Sequence, residues 1–291
     1  MTETIQHQTV TVDGWTAHDI VDPPADTDGN VWIWQEIEGW FGGLDVRSGD
    51  VPRPLADGSH DGPAPFGGRT VTVSGSLVAA TRSGLQRGMD RLAGVLASTE
   101  KRFDTLVVDE TQRGVRRQAL VRLSGPTMIT RTSTYGAEWS LSFFAADPTR
   151  YGTVGQSLEL LPYKAGGGRT YNLIPNRHYG ATAQPGTGDV VNSGDTGTPL
   201  TVTFFGPCTN PGLRFVGGYG VQYLGTLTAN DYVVIDSARR TVELNGANRR
   251  RLLSAESRWL FAPPGRTQVY FWVDNVNKTG KCSVAWRDAW S

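Results

Sequence analysis

The chain has 291 residues, long enough for one large domain or two ordinary ones, with 28 basic side chains balanced by 28 acidic ones. A net charge of zero offers nucleic acid no long-range positive field, and hydrophobic and charged fractions of 38% and 19% exclude wholesale disorder. Thirty-six glycines and 16 prolines without a three-residue period exclude collagen and point to many tight turns between short strands. Two cysteines, Cys208 and Cys282, cannot make a disulfide scaffold; they read as buried thiols, with a pairing in an oxidising setting left open. The start at 1–7 lacks a basic segment leading into an apolar one, and no run nears the roughly 18 apolar residues of a spanning helix. The expectation is a soluble chain without a signal peptide.

Taken in chain order, 31–38 alternates, with Val31, Ile33 and Ile37 on one face and Trp32, Trp34, Glu36 and Glu38 on the other. Residues 48–68 are a long Gly/Pro-rich loop, a kind of segment that is uncommon unless it binds something. Alternation resumes at 69–78, Val71, Val73 and Leu77 facing one way and Thr70, Thr72, Ser74 and Ser76 the other. One helix is expected, from about 82 to 97: Leu85, Met89, Leu92 and Leu96 form a single apolar stripe. Gly84, Gly88 and Gly94 each weaken it by about 1 kcal/mol against alanine, so packing must hold it. Strands follow at 105–109, 117–123 and 138–144.

Composition breaks after Asp147-Pro148, placing a first β-domain at 1–150, a boundary segment at 151–170 and a second domain at 171–291. The second half carries strand patterns at 201–205, 213–216, 221–224, 232–236, 241–244, 267–273 and 282–287. Asn245-Gly246 is a strong turn signal, and Asp236-Ser237-Ala238-Arg239 can join the strands around it into a hairpin. Short strands at this spacing predict a β-sandwich or jelly-roll-like module.

Catalytic signals are sparse. His7, His18, His60 and His178 lack ligand spacing, and Asp26-Thr27-Asp28-Gly29-Asn30 departs from a calcium loop at Val31 and Ile37. Asp57, His60 and Asp61 form a compact group that could suit general acid–base work or a metal, and Glu36 with Glu38 share a strand face as paired hydrolytic carboxylates could, though a turn-rich loop and a strand face ordinarily carry such residues. Neither arginine cluster, 113/116/117 or 249–251, lies in a nucleic-acid-binding motif. Trp259 with Phe261, and Tyr270 with Trp272, suit either a sandwich core or a carbohydrate-stacking face, the core being the more ordinary use. No cofactor is implied.

The loop before Arg69-Thr70-Val71-Thr72-Val73-Ser74-Gly75, the helix after it, and Leu141-Ser142-Phe143-Phe144-Ala145-Ala146-Asp147-Pro148-Thr149-Arg150-Tyr151 resemble the siphophage distal tail protein family. Residues 230–236, the hairpin ending at 245–249, and Trp259-Leu260-Phe261-Ala262-Pro263-Pro264-Gly265 look like the second domain of its larger members. The resemblance implies an all-β protein with one helix: an N-terminal ring-forming, split-barrel-like β-domain and a C-terminal galectin-like β-sandwich. It implies a structural, non-enzymatic role at the virion tail tip, after assembly in the host cytoplasm. A hexameric ring of the chain with itself would join the major tail tube protein to the tip or baseplate proteins. Its lumen would hold the tape-measure protein and let DNA through. A host glycan is a further partner to consider, and a carbohydrate-binding protein and a glycan-active enzyme are the alternatives. The residues singled out are Leu85, Met89 and Leu92, as helix core or assembly contacts, and Arg53, Asp57, His60 and Asp61, as loop contacts.

Overall fold

The structure is a computed structural model that describes residues 8–19, 23–98, 102–110, 114–164, 185–275 and 278–291. His7, Arg113 and His178, and residues 165–170 of the expected boundary segment, lie outside the described residues. The chain divides into two compact units, 1–153 together with 291, and 154–290.

The first unit is a closed barrel. Seven strands carry it: β1 (Thr9–Val12), β2 (Trp15–His18), β3 (Asn30–Glu38), β4 (Arg69–Ala79), β5 (Asp104–Glu110), β6 (Val115–Leu123) and, after a short β7 (Met128–Arg131), β8 (Gly136–Ala145). Around the barrel the order is β6-β5-β1-β2-β3-β4-β8, and β8 returns to β6 through Phe143↔Leu123 and Phe144↔Arg122. All these pairings are antiparallel except β2 with β3. β7 adds to β8 at the side, and β9 (Arg150–Gly152) adds to β6. Closure pairs the edges of the sheet.

Period-two alternation sets the core. On β4 every odd residue from Arg69 to Ala79 turns inward, placing Val71, Val73 and Leu77 in the cluster with Val10, Val12, Leu106, Val108, Leu141 and Phe143. Trp15 sits at its centre, edge-on to Trp32 at 5.7 Å and to Trp139 at 4.9 Å. β3 corrects the simple two-faced reading of 31–38. Trp32 points into the core while Val31 and Ile33 are half-buried, and the register shifts between Trp34 and Glu36, so both Trp34 and Ile37 pack against the core. A bulge inserts one residue and swaps the faces beyond it, which hydropathy alone does not reveal.

The helix, α1 (Arg82–Gly94), is shorter than the stripe suggests. Thr81 caps it, accepting the Gly84 N–H at 3.0 Å. Leu85 and Leu92 are buried, and Met89 is half-buried against the same cluster. Leu96 is buried just beyond the helix, with a left-handed φ of 52°. Two of the three glycines lie on the packed face. A Cβ on Gly84 would come within 3.0 Å of the Asp28 carbonyl, and one on Gly88 within 2.9 Å of Leu77 Cδ2. They let the helix approach β3 and β4 more closely than alanine would. Arg87 pairs with Asp28 at 2.8 Å, and Arg91 lies 3.6 Å from Asp26 while donating to the Gly14 carbonyl.

The acidic turn before β3 is held by its own hydrogen bonds. Asp26 Oδ1 accepts the N–H of Asp28 and of Asn30, and Oδ2 accepts Trp32 Nε1, each at 2.9 Å. Burial works against the carboxylate, but these bonds and Arg91 outweigh it and hold Asp26 below its usual pKa.

The second unit is a sandwich of two antiparallel sheets. One runs β10 (Gln156–Leu160), β18 (Lys281–Trp286), β12 (Thr201–Phe205), β15 (Tyr232–Asp236) and β16 (Thr241–Leu244), extended by Ala247–Asn248. The other runs β11 (Thr187–Asn192), β17 (Gly265–Trp272), β13 (Gly212–Phe215) and β14 (Gly220–Gln222). Val202, Phe204, Val233, Ile235 and Val284 of the first meet Val190, Leu213, Val221, Val269 and Phe271 of the second, with Phe204 stacked on Phe271 at 5.8 Å. Asn245 and Gly246, with φ of 50° and 81°, make the expected hairpin turn. Residues 156–160, read from sequence as boundary, are a strand paired with β18, and Leu160 belongs to the core. Cys208 and Cys282 are buried free thiols.

Candidate assembly surface

Between β3 and β4 the chain leaves the barrel as a two-stranded arm. At its root Gly67 N–H donates to the Asp45 carbonyl at 2.7 Å and Arg47 N–H to that of Pro65 at 2.9 Å, with Val46 bridged to Phe66. Further out Gly62 N–H donates to Asp50 Oδ1 at 3.0 Å, and Val51–Pro52 pairs with Ser59–His60. The Ser48 hydroxyl and the Gly62 N–H hold the Asp50 carboxyl below its ordinary pKa. Arg53 N–H to the Gly58 carbonyl, 3.1 Å, closes the tip. Apart from Leu44 and Gly62, every residue from 41 to 66 is exposed.

Composition makes that exposure informative. Phe41, Val46, Val51, Leu55 and Phe66 stand in solvent, Leu55 completely so. A hairpin of this length cannot bury its side chains on its own, and isolated two-stranded ribbons are marginal in water. An arm that exposes five large apolar side chains from a well-packed barrel is a surface suited to cover by another chain.

The arm's root, by contrast, is locked. Trp40 is fully buried, and its Nε1 donates to Glu110 Oε1 at 3.3 Å. Arg69 Nη1 donates to the carbonyls of Gly39 at 2.7 Å, Trp40 at 3.1 Å and Gly42 at 3.2 Å, while its Nε donates to Pro148 O at 3.0 Å. Arg150 Nη1 reaches the Trp40 carbonyl at 2.6 Å, and its guanidinium lies 5.9 Å from the Trp40 ring centroid. Arg117 lies 3.5 Å from Glu110. Desolvation lowers the pKa of Arg69, yet a guanidinium stays charged, so its carbonyl contacts are charge-assisted. Gly39 is required here: its φ is +74°, and a Cβ would meet the Thr70 carbonyl at 2.0 Å.

The residues singled out from sequence fall into two places. Leu85 and Leu92 are buried in the barrel's own core, and Met89 packs half-buried against it. Arg53, Asp57, His60 and Asp61 are all exposed on the outer arm. His60 lies opposite Val51, and the side chains of these four make no hydrogen bond or ion pair with the described residues. Glu36 and Glu38 are exposed on β3, and no group of three or more metal-ligating side chains occurs among the described residues. Trp40, Arg69 and Arg150 were missed. Arg69 shares the parity of Val71, Val73 and Leu77, a signal in the sequence that it points inward.

Residues 193–290 match the family model described as siphovirus-type tail component, C-terminal domain. No curated protein sequence matches the chain. Among solved structures it is similar to the SPP1 Dit protein (gp 19.1), described as a paradigm of the hub adsorption apparatus in phages infecting Gram-positive bacteria. That match has a TM-score of 0.66 at 14% identity and covers 97% of this chain and 98% of that one. A chain in the structure of the phage P2 baseplate in its activated conformation with calcium matches more loosely, with a TM-score of 0.48 at 10% identity over 96% of this chain and 97% of that one. The chain thus resembles siphophage distal tail proteins in sequence over its last third and in fold along nearly its whole length.

Proposed function

We propose that the chain is the distal tail protein of a phage with a long non-contractile tail, six copies closing a ring through residues 1–153. The arm at 41–66 carries this reading: it exposes five large apolar side chains, is rooted by buried arginines, and is uncovered by the described residues of its own chain. In a ring each arm lies on the next copy, and cyclic closure gives every arm a surface without leaving an open end. Arg53, Asp57, His60 and Asp61 then contact the neighbour. The sandwich, galectin-like in this reading, projects outward and is dispensable for closure. The ring joins the tail tube to the tip or baseplate proteins, and its lumen takes the tape-measure protein and then DNA. The role is architectural rather than catalytic, at the tail tip of the virion.

Mass photometry tests closure: the full chain should appear at six times 31.6 kDa. Splicing Asp45 to Gly67 through two glycines removes the arm between residues that already touch, and should leave a folded monomer. A sixfold ring that survives the splice removes the arm from the assembly. A reconstructed particle whose tail tip lacks a sixfold ring of this chain overturns the proposal.

A further inference from the structure

The outer face of the four-stranded sheet carries a side-chain array that lies outside the sandwich core. Inward residues alternate with outward ones on β17, so Val269 and Phe271 are core while Tyr270 and Trp272 face out. Their rings lie within 11° of parallel with centroids 6.2 Å apart. The Arg214 guanidinium sits 5.4 Å from the tyrosine centroid and 5.9 Å from the indole. Gly212 lies directly opposite Trp272, and a Cβ there would fall 2.2 Å from indole Cζ2. The glycine lets the indole lie down on the sheet.

Beside this platform is an open cleft of about 250 Å³ whose lining includes Arg214, Tyr219, Gln222, Glu256, Ser257 and Trp272. Its far wall is fixed by hydrogen bonds to the Gln222 backbone. Ser257 Oγ accepts the Gln222 N–H at 3.1 Å, and the Ser254 N–H donates to the Gln222 carbonyl at 2.9 Å. The side chains of Arg214 and Glu256 make no hydrogen bond or ion pair with the described residues, so their donors and acceptors remain for a ligand.

A flat aromatic beside a guanidinium, a carboxylate and an amide suits a saccharide. A hexopyranose ring has a C–H-rich face that stacks on an indole and a rim of hydroxyls that donate and accept together. The cleft is below the roughly 300–1,000 Å³ usual for drug-sized ligands, so it suits a sugar ring rather than a long chain. We propose that this face binds a neutral hexopyranose, with Trp272 as the stacking surface and Arg214 and Glu256 as hydroxyl partners, joined by Gln222 through its Oε1 because its Nε2 donates to the Asn210 carbonyl. This goes beyond the ring reading and does not depend on it, because the site lies wholly within the second unit.

Saturation-transfer NMR of the full chain with the methyl glycosides of glucose, galactose, mannose and N-acetylglucosamine tests it. At least one should receive saturation. Trp272→Ala should weaken that binding at least about tenfold, as truncating an aromatic anchor does, whereas Trp272→Phe should keep part of it. Arg214→Ala and Glu256→Gln change exposed side chains and give the same readout if Trp272→Ala fails to fold. Gly212→Ala should also weaken binding by lifting the indole. No transfer to any of the four glycosides overturns the proposal. So does transfer that these variants leave undiminished, or a tail protein occupying this face without any saccharide signal.

Discussion

At the scale of single residues, burial separates side chains that look alike in sequence. Leu92 is fully buried in the barrel core, whereas Arg87 makes an exposed pair with Asp28. Leu92→Ala should therefore cost about 2–5 kcal/mol in urea titrations, the usual range for an uncollapsed core cavity. Arg87→Ala should cost about 1 kcal/mol or less, because an exposed ion pair is screened. Equal costs would mean that the helix lies on a different face. The two thiols give a second test. Burial pushes Cys208 up to about 11, and burial with Cys208 nearby raises Cys282 well above its ordinary value. The thiolate is the reactive form and a raised pKa withholds it, so both cysteines should resist iodoacetamide from pH 7 to 9 in the folded protein. Intact mass should show two adducts only after denaturation; rapid labelling of the native chain would contradict the burial.

At the scale of an element, α1 shows how one residue type serves opposite ends. Nothing lies within 4 Å of a Cβ added to Gly94, so Gly94→Ala should gain up to about 1 kcal/mol from helix propensity. Gly88→Ala makes the same intrinsic gain, but its Cβ would stand 2.9 Å from Leu77 and 3.1 Å from the Asn30 amide. Overpacking there should outweigh propensity and leave the variant less stable than wild type. Thermal melts of the two variants should move in opposite directions. A parallel gain would show that the helix has room to lift off β4. Propensity describes a residue's own backbone, whereas the sign of these changes is set by strands that come from elsewhere in the chain.

At the scale of the molecule, each unit has its own core cluster. Residues 1–153, with a barrel whose last strand pairs back to β6, should fold alone and melt in one cooperative transition by circular dichroism. A molten fragment would overturn the independence of the barrel. The strand faces at 69–79, the sandwich strands from 201 onward, the Asn245-Gly246 turn and the helix stripe were legible in the sequence, because period and turn chemistry are local properties. The strands at 156–160 and 187–192 were not. The exposed arm was visible too, as a Gly/Pro-rich interruption. The Trp40–Arg69–Arg150 root was not, since its bonds join residues up to 110 positions apart. Nor was the exchange of faces at the β3 bulge, or the outward turn of Tyr270 and Trp272. An aromatic pair two residues apart has the same pattern on either face of a strand. Which face meets the core is decided by the opposing sheet, and only the tertiary structure brings that sheet into place.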